Sequence, residues 1–227
     1  MRSTLPIAAA LATVVLTAGV AQAAPAISNG LYAGYIAYSG HYTAVSAAWT
    51  EPTVSCAAGE RSSATFWIGL DGYGTSDLEQ IGTAVDCYSG PPAYSAWYEW
   101  FPAAGVGIPN TVRPGDRMSS SITANGSDFT MTLTDSTQSW SRSFTNTISG
   151  VPLSSAEVVV EPPTVGTGPL PLANFSSVTF SSASVNGAPL GNSTNGKTEI
   201  DINGSGPKTS TTSLSGGNQF TTRWLTH

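Results

Sequence analysis

Three short stretches place acid–base groups in runs that otherwise look like buried strand. Gln80 lies in "EQIG" (79–82), Glu99 in "YSAWYEWFP" (94–102), and Glu157 and Glu161 in "SAEVVVEPP" (155–163). Side chains alternate between the two faces of a strand, so Gln80 opposes Glu79, and Ser95, Trp97, Glu99 and Phe101 share one face. The same rule sets Glu157, Val159 and Glu161 on one face, with Val158 and Val160 on the other. On one strand alone, such a pattern reads more simply as a solvated sheet face. Three strands with nearby Trp and Tyr point instead to a concave site.

Other chemistries lack their residues. The chain has no HExxH, GxSxG or GxxxxGK[ST] motif. Its 2 histidines are His41, in a turn-like segment, and His227, the last residue, which leaves little to build a serine triad or a zinc site. The 2 cysteines, Cys56 and Cys87, are expected to form a disulfide in a secreted chain, which removes Cys–His catalysis. Carboxylates and amides remain.

The elements that must carry these groups are short and alternating. Twelve strand candidates run through the sequence, among them residues 33–38, 42–49, 65–70, 78–81, 94–101, 156–161 and 197–202. Asn125-Gly126 and Asn203-Gly204 mark hairpin turns, while 164–170 and 204–217 read as loops. No helical periodicity appears after residue 23. The pattern predicts an all-β antiparallel sandwich of two sheets, with a barrel as the alternative.

At the N-terminus, Arg2, an apolar run from Leu5 to Val20 and Ala21-Gln22-Ala23 predict a signal peptide, residues 1–23. Residues 24–227 are then expected to form one secreted domain, monomeric and free of the membrane after cleavage. Charged residues are only 10% of the chain, with 14 acids against 8 bases, which argues against a nucleic-acid partner and suits an acidic medium. Asn125, Asn174, Asn192 and Asn203 sit in N-glycosylation sequons.

In order along the chain, "FWIGLDG" (66–72), "EQIGTAVDCY" (79–88), "YSAWYEWFP", "SAEVVVEPP" and "ANFSSVTFSSASV" (173–185) resemble the glutamic peptidases, the eqolisin family. The resemblance implies a concanavalin-like jelly roll and a secreted endopeptidase that acts in acid on polypeptides, without cofactor or metal. It implies a bacterial-type member with Gln80 and Glu161 as the catalytic pair. Glu161 would be the general base that activates water, and Gln80 would orient the water and stabilise the oxyanion. Tyr32, Trp67, Asp71, Asp86, Tyr94, Trp97, Glu99 and Glu157 match or flank positions that line or support the site. Glu99 and Asp86 would position the glutamine. Hydrogen bonds are expected to hold the pKa of Glu161 down.

The chain departs from the family pattern at Tyr32, where "LYAGY" replaces an "NWSGY"-like motif, and at Val158, where an aromatic is usual. Two extra residues separate Gln80 from Asp86.

A β-glucan hydrolase or a non-catalytic carbohydrate-binding sandwich is the competing reading. Laminarinase-like enzymes use two glutamates four apart on one strand, as Glu157 and Glu161 are. Between those glutamates they carry an aspartate, and here Val159 takes its place.

Overall fold

The computed structural model describes residues 26–27, 30–88, 90–166 and 168–227. The expected signal peptide lies outside them. Among the described residues, no helix is long and apolar enough to cross a membrane.

Two eight-stranded sheets pack face to face. The sheet bearing the three polar stretches has its strands in the spatial order Ala26–Ile27, Gly196–Thr198, Ala33–Tyr38, Ser155–Glu161, Arg61–Asp71, Leu78–Tyr88, Ala93–Phe101, Val106–Ile108. All its pairs are antiparallel except Ala26–Ile27 with Gly196–Thr198. The second sheet runs Trp140–Thr147, Asp128–Asp135, Arg117–Asn125, Ala44–Thr50, Ser177–Val185, Phe220–Trp224, Thr209–Thr211, and Ala188–Pro189 pairs with Ser177–Val185. The fold is the expected two-sheet sandwich.

Alternation assigns the faces. Ala33, Tyr35, Ala37, Phe66, Ile68, Leu70, Ile81, Val85, Val158 and Val160 are buried between the sheets. On the opposite face, Tyr32, Ile36, Trp67, Leu78 and Val159 form a second apolar cluster, against which Trp97 packs. Residue 158 therefore lies in the inter-sheet core, away from the second cluster. A valine there changes core packing and not the cleft wall.

Several strands exceed their expected limits. The 78–81 candidate extends to Leu78–Tyr88, and 65–70 becomes Arg61–Asp71. The added Gly82, Ala84 and Asp86 are of low strand propensity but are paired on both sides, and Arg61–Ala64 is held by its pairing with Val85–Tyr88. The 197–202 candidate shortens to Gly196–Thr198, and a 3₁₀ turn occupies Ile202–Gly204. The loop-like 164–170 contains a small hairpin, Thr164–Val165 with Gly168–Pro169. The loop-like 204–217 contains Thr209–Thr211. Cys56 and Cys87 form the expected disulfide.

Candidate active site

The central strand Leu78–Tyr88 sets the register. Gln80 lies directly opposite Gly69 on one side and Glu99 on the other. Glu157 lies opposite Gly69, so Glu157, Gly69, Gln80 and Glu99 form one row across four strands. Two residues along, Val159, Trp67, Gly82 and Trp97 form the next row, and Glu161, Thr65, Ala84 and Ser95 the one after. Glu161 is the last residue of its strand because Pro162 and Pro163 have no N–H with which to extend the ladder. Thr65 anchors it, its hydroxyl donating 2.8 Å to the Glu161 carbonyl.

Gln80 and Glu99 of the first row, Trp97 of the second and Glu161, Thr65, Ala84 and Ser95 of the third line a cleft of about 670 Å³, with Tyr32 beside them. Gly82 keeps the floor low, because a Cβ there would sit 2.2 Å from the Phe66 carbonyl and 2.6 Å from Trp67 Cβ. Tyr32 closes one wall edge-on against Trp67, with ring centroids 5.2 Å apart. The phenol thus serves as an aromatic wall where the family pattern has an indole. Leu78 and Phe101 line one end, and Ser63, Asp86 and Tyr88 the other.

The Gln80 amide nitrogen donates to a Glu99 carboxylate oxygen, which fixes the orientation of the amide. Among the described residues, the buried carbonyl oxygen of Gln80 meets no hydrogen-bond donor, and it remains able to accept a hydrogen bond. Burial raises the pKa of Glu99, against the lowering effect of the hydrogen bonds from Gln80 and the Gly105 backbone. Burial, with a further contribution from Glu99, raises Glu161 to about 8. The Trp67 indole N–H works against this, but it lies beside the carboxyl without the geometry of a well-formed hydrogen bond. The expectation of a Glu161 held ionised in acid is therefore reversed. Burial outweighs the few donors that reach the carboxyl, so its pKa is raised, to about 8, instead of lowered.

The other site residues fall into distinct positions. Trp67 is fully buried beneath the floor, and Trp97 lines the cleft. Asp71, fully buried, accepts from the Leu153 and Ser154 backbone N–H groups at 2.7 and 2.8 Å. It thereby fixes the entry to the strand that ends in Glu161. The Tyr94 hydroxyl bonds the Val54 N–H and the Pro52 carbonyl, so it supports the wall from outside the cleft. Asp86 lines the cleft but sits six residues along the strand from Gln80, roughly 20 Å at strand rise. At that separation it does not meet the glutamine; among the described residues, Glu99 is the side chain that bonds the Gln80 amide.

Glu157 does not face the cleft. It is fully buried, its carboxyl leaning over Gly69, where a Cβ would lie 3.2 Å from it. Burial raises its pKa well above the ordinary range. Only one of the two glutamates in "SAEVVVEPP" therefore opens onto the cleft, and Val159 between them belongs to the apolar cluster. A glucanase pair is not formed.

Glu51 is not among the residues that the sequence singles out. It is buried between the sheets, where its carboxyl accepts from the Trp49 indole at 3.1 Å and the Thr83 hydroxyl at 2.7 Å. Burial raises it to about 8. The period-2 face of "AVSAAWTE" carries the signal for it, since Glu51 shares the inward face of Val45, Ala47 and Trp49. Among the described residues, no cluster of three His, Cys, Asp or Glu side chains is arranged to hold a metal ion.

The two-sheet sandwich brings a glutamine and a glutamate to one cleft, and comparison with known proteins gives the chain a family. Residues 31–224 match the model of the peptidase A4 family. Aspergillopepsin-2 of Aspergillus niger is 30% identical over 214 residues, covering 82% of this chain and 74% of the relative. Scytalidopepsin B of Scytalidium lignicola is 33% identical over 136 residues, 57% of this chain and 50% of that one. Among solved structures, scytalido-glutamic peptidase with a transition-state analogue superposes with a TM-score of 0.76 at 22% identity, covering 88% of this chain and all of that one. Aspergilloglutamic peptidase of A. niger gives 0.64 at 28% identity, over 72% of this chain and 99% of that one. The chain belongs to the peptidase A4 family, the eqolisin glutamic peptidases. It is a hydrolase of the glutamic endopeptidase type.

Proposed function

We propose that the protein is a secreted endopeptidase that acts on polypeptides in acid through Gln80 and Glu161. The observation that carries this reading is the shared cleft. Gln80 and Glu161 reach it from different strands and from rows on either side of the row of Trp67, Gly82 and Trp97, while Glu157 is shut away.

The protonated Glu161 carboxyl then serves as base and acid in turn. Its unprotonated oxygen takes a proton from the attacking water as the water oxygen bonds to the peptide carbon, and its hydroxyl gives a proton to the carbonyl oxygen. The Gln80 carbonyl orients the water. The second amide hydrogen of Gln80, the one not held by Glu99, stabilises the oxygen on which negative charge develops. In the second step Glu161 gives its proton to the leaving nitrogen and takes one from a hydroxyl of the tetrahedral intermediate. The C–N bond breaks, leaving a carboxylic acid and an amine.

Such a cycle limits the charge that builds up during proton exchange, which suits a carboxyl whose burial disfavours the charged form. It also operates where Glu161 is protonated, on the acid side of about pH 8. Hydrolysis of denatured protein at about pH 4, assayed alongside a soluble β-glucan, tests the reading. Peptide cleavage without glucan cleavage is expected; glucan cleavage, or saturable glucan binding without turnover of either substrate, would overturn it.

A further inference from the structure

Tyr32, a wall of the cleft, also brings a hydroxyl to it. The strand Ala33–Tyr38 pairs with Ser155–Glu161 as far as Ala33 with Val160, so one step beyond that last pair Tyr32 adjoins Glu161. Residues directly opposite on neighbouring strands have Cβ atoms about 5 Å apart. The next position on the same face is Gly34, opposite Val159, where a Cβ would meet the Val158 carbonyl oxygen at 2.3 Å. With no side chain there, the Tyr32 ring leans across Val159 and meets the Trp67 ring at 89° within one apolar cluster. Burial, and then the carboxyls of Glu161, Glu157 and Glu99 in that order, make the phenol hold its proton more tightly. Glu161 stands in one row and Glu157 and Glu99 in the row of Gln80, so the hydroxyl lies within the field of both rows. Thr65, the hydroxyl residue on the other side of Glu161, is occupied with the Glu161 backbone carbonyl.

We propose that the Tyr32 hydroxyl is a further catalytic group, a second hydrogen-bond donor to the carbonyl oxygen of the peptide bond under attack. This rests on the peptidase reading of the cleft and adds a residue outside the Gln80–Glu161 pair. In that reading the carbonyl oxygen lies between the Gln80 amide and the Glu161 carboxyl, hence between the two rows whose charges the phenol feels. One amide hydrogen of Gln80 is held by Glu99, and the Trp67 indole N–H lies beside the Glu161 carboxyl. The remaining Gln80 hydrogen and the Tyr32 hydroxyl then converge on one oxygen from opposite sides. A phenol that holds its proton tightly stays a donor throughout the acid range. It gives up no proton, and the transfers to and from substrate stay with Glu161. Its hydrogen bond strengthens as negative charge grows on the oxygen. An interaction made mainly in the transition state raises kcat and leaves KM nearly unchanged.

The test is Tyr32→Phe, which keeps the ring against Trp67 and removes the hydroxyl. On one peptide at about pH 4, kcat should fall about a hundredfold while KM stays within about twofold. A peptide analogue with a tetrahedral phosphinate in place of the scissile amide presents an anionic oxygen where the oxyanion forms. It should bind Tyr32→Phe more weakly than wild type by about the same factor as the fall in kcat. Kd for the unaltered peptide, measured on Glu161→Gln protein with and without Tyr32→Phe, should not change. A ring that only packs the wall would leave kcat and phosphinate binding alone, and that result overturns the proposal. Equal weakening of phosphinate and peptide would mark a distorted cleft and overturns it as well. Wild-type cleavage with an indifferent Tyr32→Phe removes Tyr32 alone, whereas a wild type that cleaves no peptide removes the peptidase reading and this one with it.

Discussion

Gln80 and Glu99 face each other across adjacent strands, and the Gln80 amide donates into the Glu99 carboxylate. This contact selects which end of the amide meets the substrate. Replacing Glu99 by leucine frees the amide to turn over, and misplacing a reacting group by about 1 Å can cost about a hundredfold. Glu99→Leu should therefore lower kcat about a hundredfold with little change in KM, whereas Glu99→Gln, which retains an acceptor, should keep most of the rate. Steady-state kinetics of the two variants checks this; equal loss in both would show that charge, and not orientation, is what Glu99 supplies.

A second consequence concerns stability and pH. Glu51 and Glu157 are fully buried, and burial is the main cause that raises each of them, Glu51 to about 8. A carboxyl whose folded pKa lies above its unfolded value binds more protons in the folded state. Its contribution is complete below the unfolded pKa of about 4.5 and is lost as pH rises through the folded value. Each such group should remove about 1.4 kcal/mol of stability per pH unit across that window. Urea unfolding from pH 4 to 8 should show stability falling towards neutrality, with a shallower fall in Glu51→Gln, which preserves volume and can still meet Thr83. An identical slope in wild type and variant would remove Glu51 from the account.

Much of this arrangement is legible in the amino-acid sequence. The period-2 pattern of "SAEVVVEPP" correctly separates Val158 and Val160 from Glu157, Val159 and Glu161. Alternation tells which face a residue takes but not how far along that face the cleft extends. That is why Glu157 and Glu161 look equivalent in sequence, although one is sealed over Gly69 and the other opens at the strand end. Asp86 shows the same limit, since it shares a face with Gln80 but lies three rows away. The protonation of Glu161 depends on how many donors tertiary packing brings to it, and no local pattern encodes that number.

The disulfide closes a separation of 31 residues between Cys56, which packs at the edge of the core, and Cys87, near the end of the Gln80 strand. A loop of that length contributes roughly 3–4 kcal/mol in the chain-entropy treatment. The Cys56→Ser, Cys87→Ser double variant should lose about that much in denaturant unfolding at pH 4. A cost under about 1 kcal/mol would show that the flanking pairs already hold this end of the sheet.

The most direct measurement compares kcat for Glu161→Gln and Glu157→Gln on one peptide at about pH 4. A glutamine at 161 can neither give nor take the proton, so that variant should lose about 10³-fold or more, while Glu157→Gln stays within a few-fold of wild type. A Glu161→Gln enzyme with wild-type turnover would contradict the account.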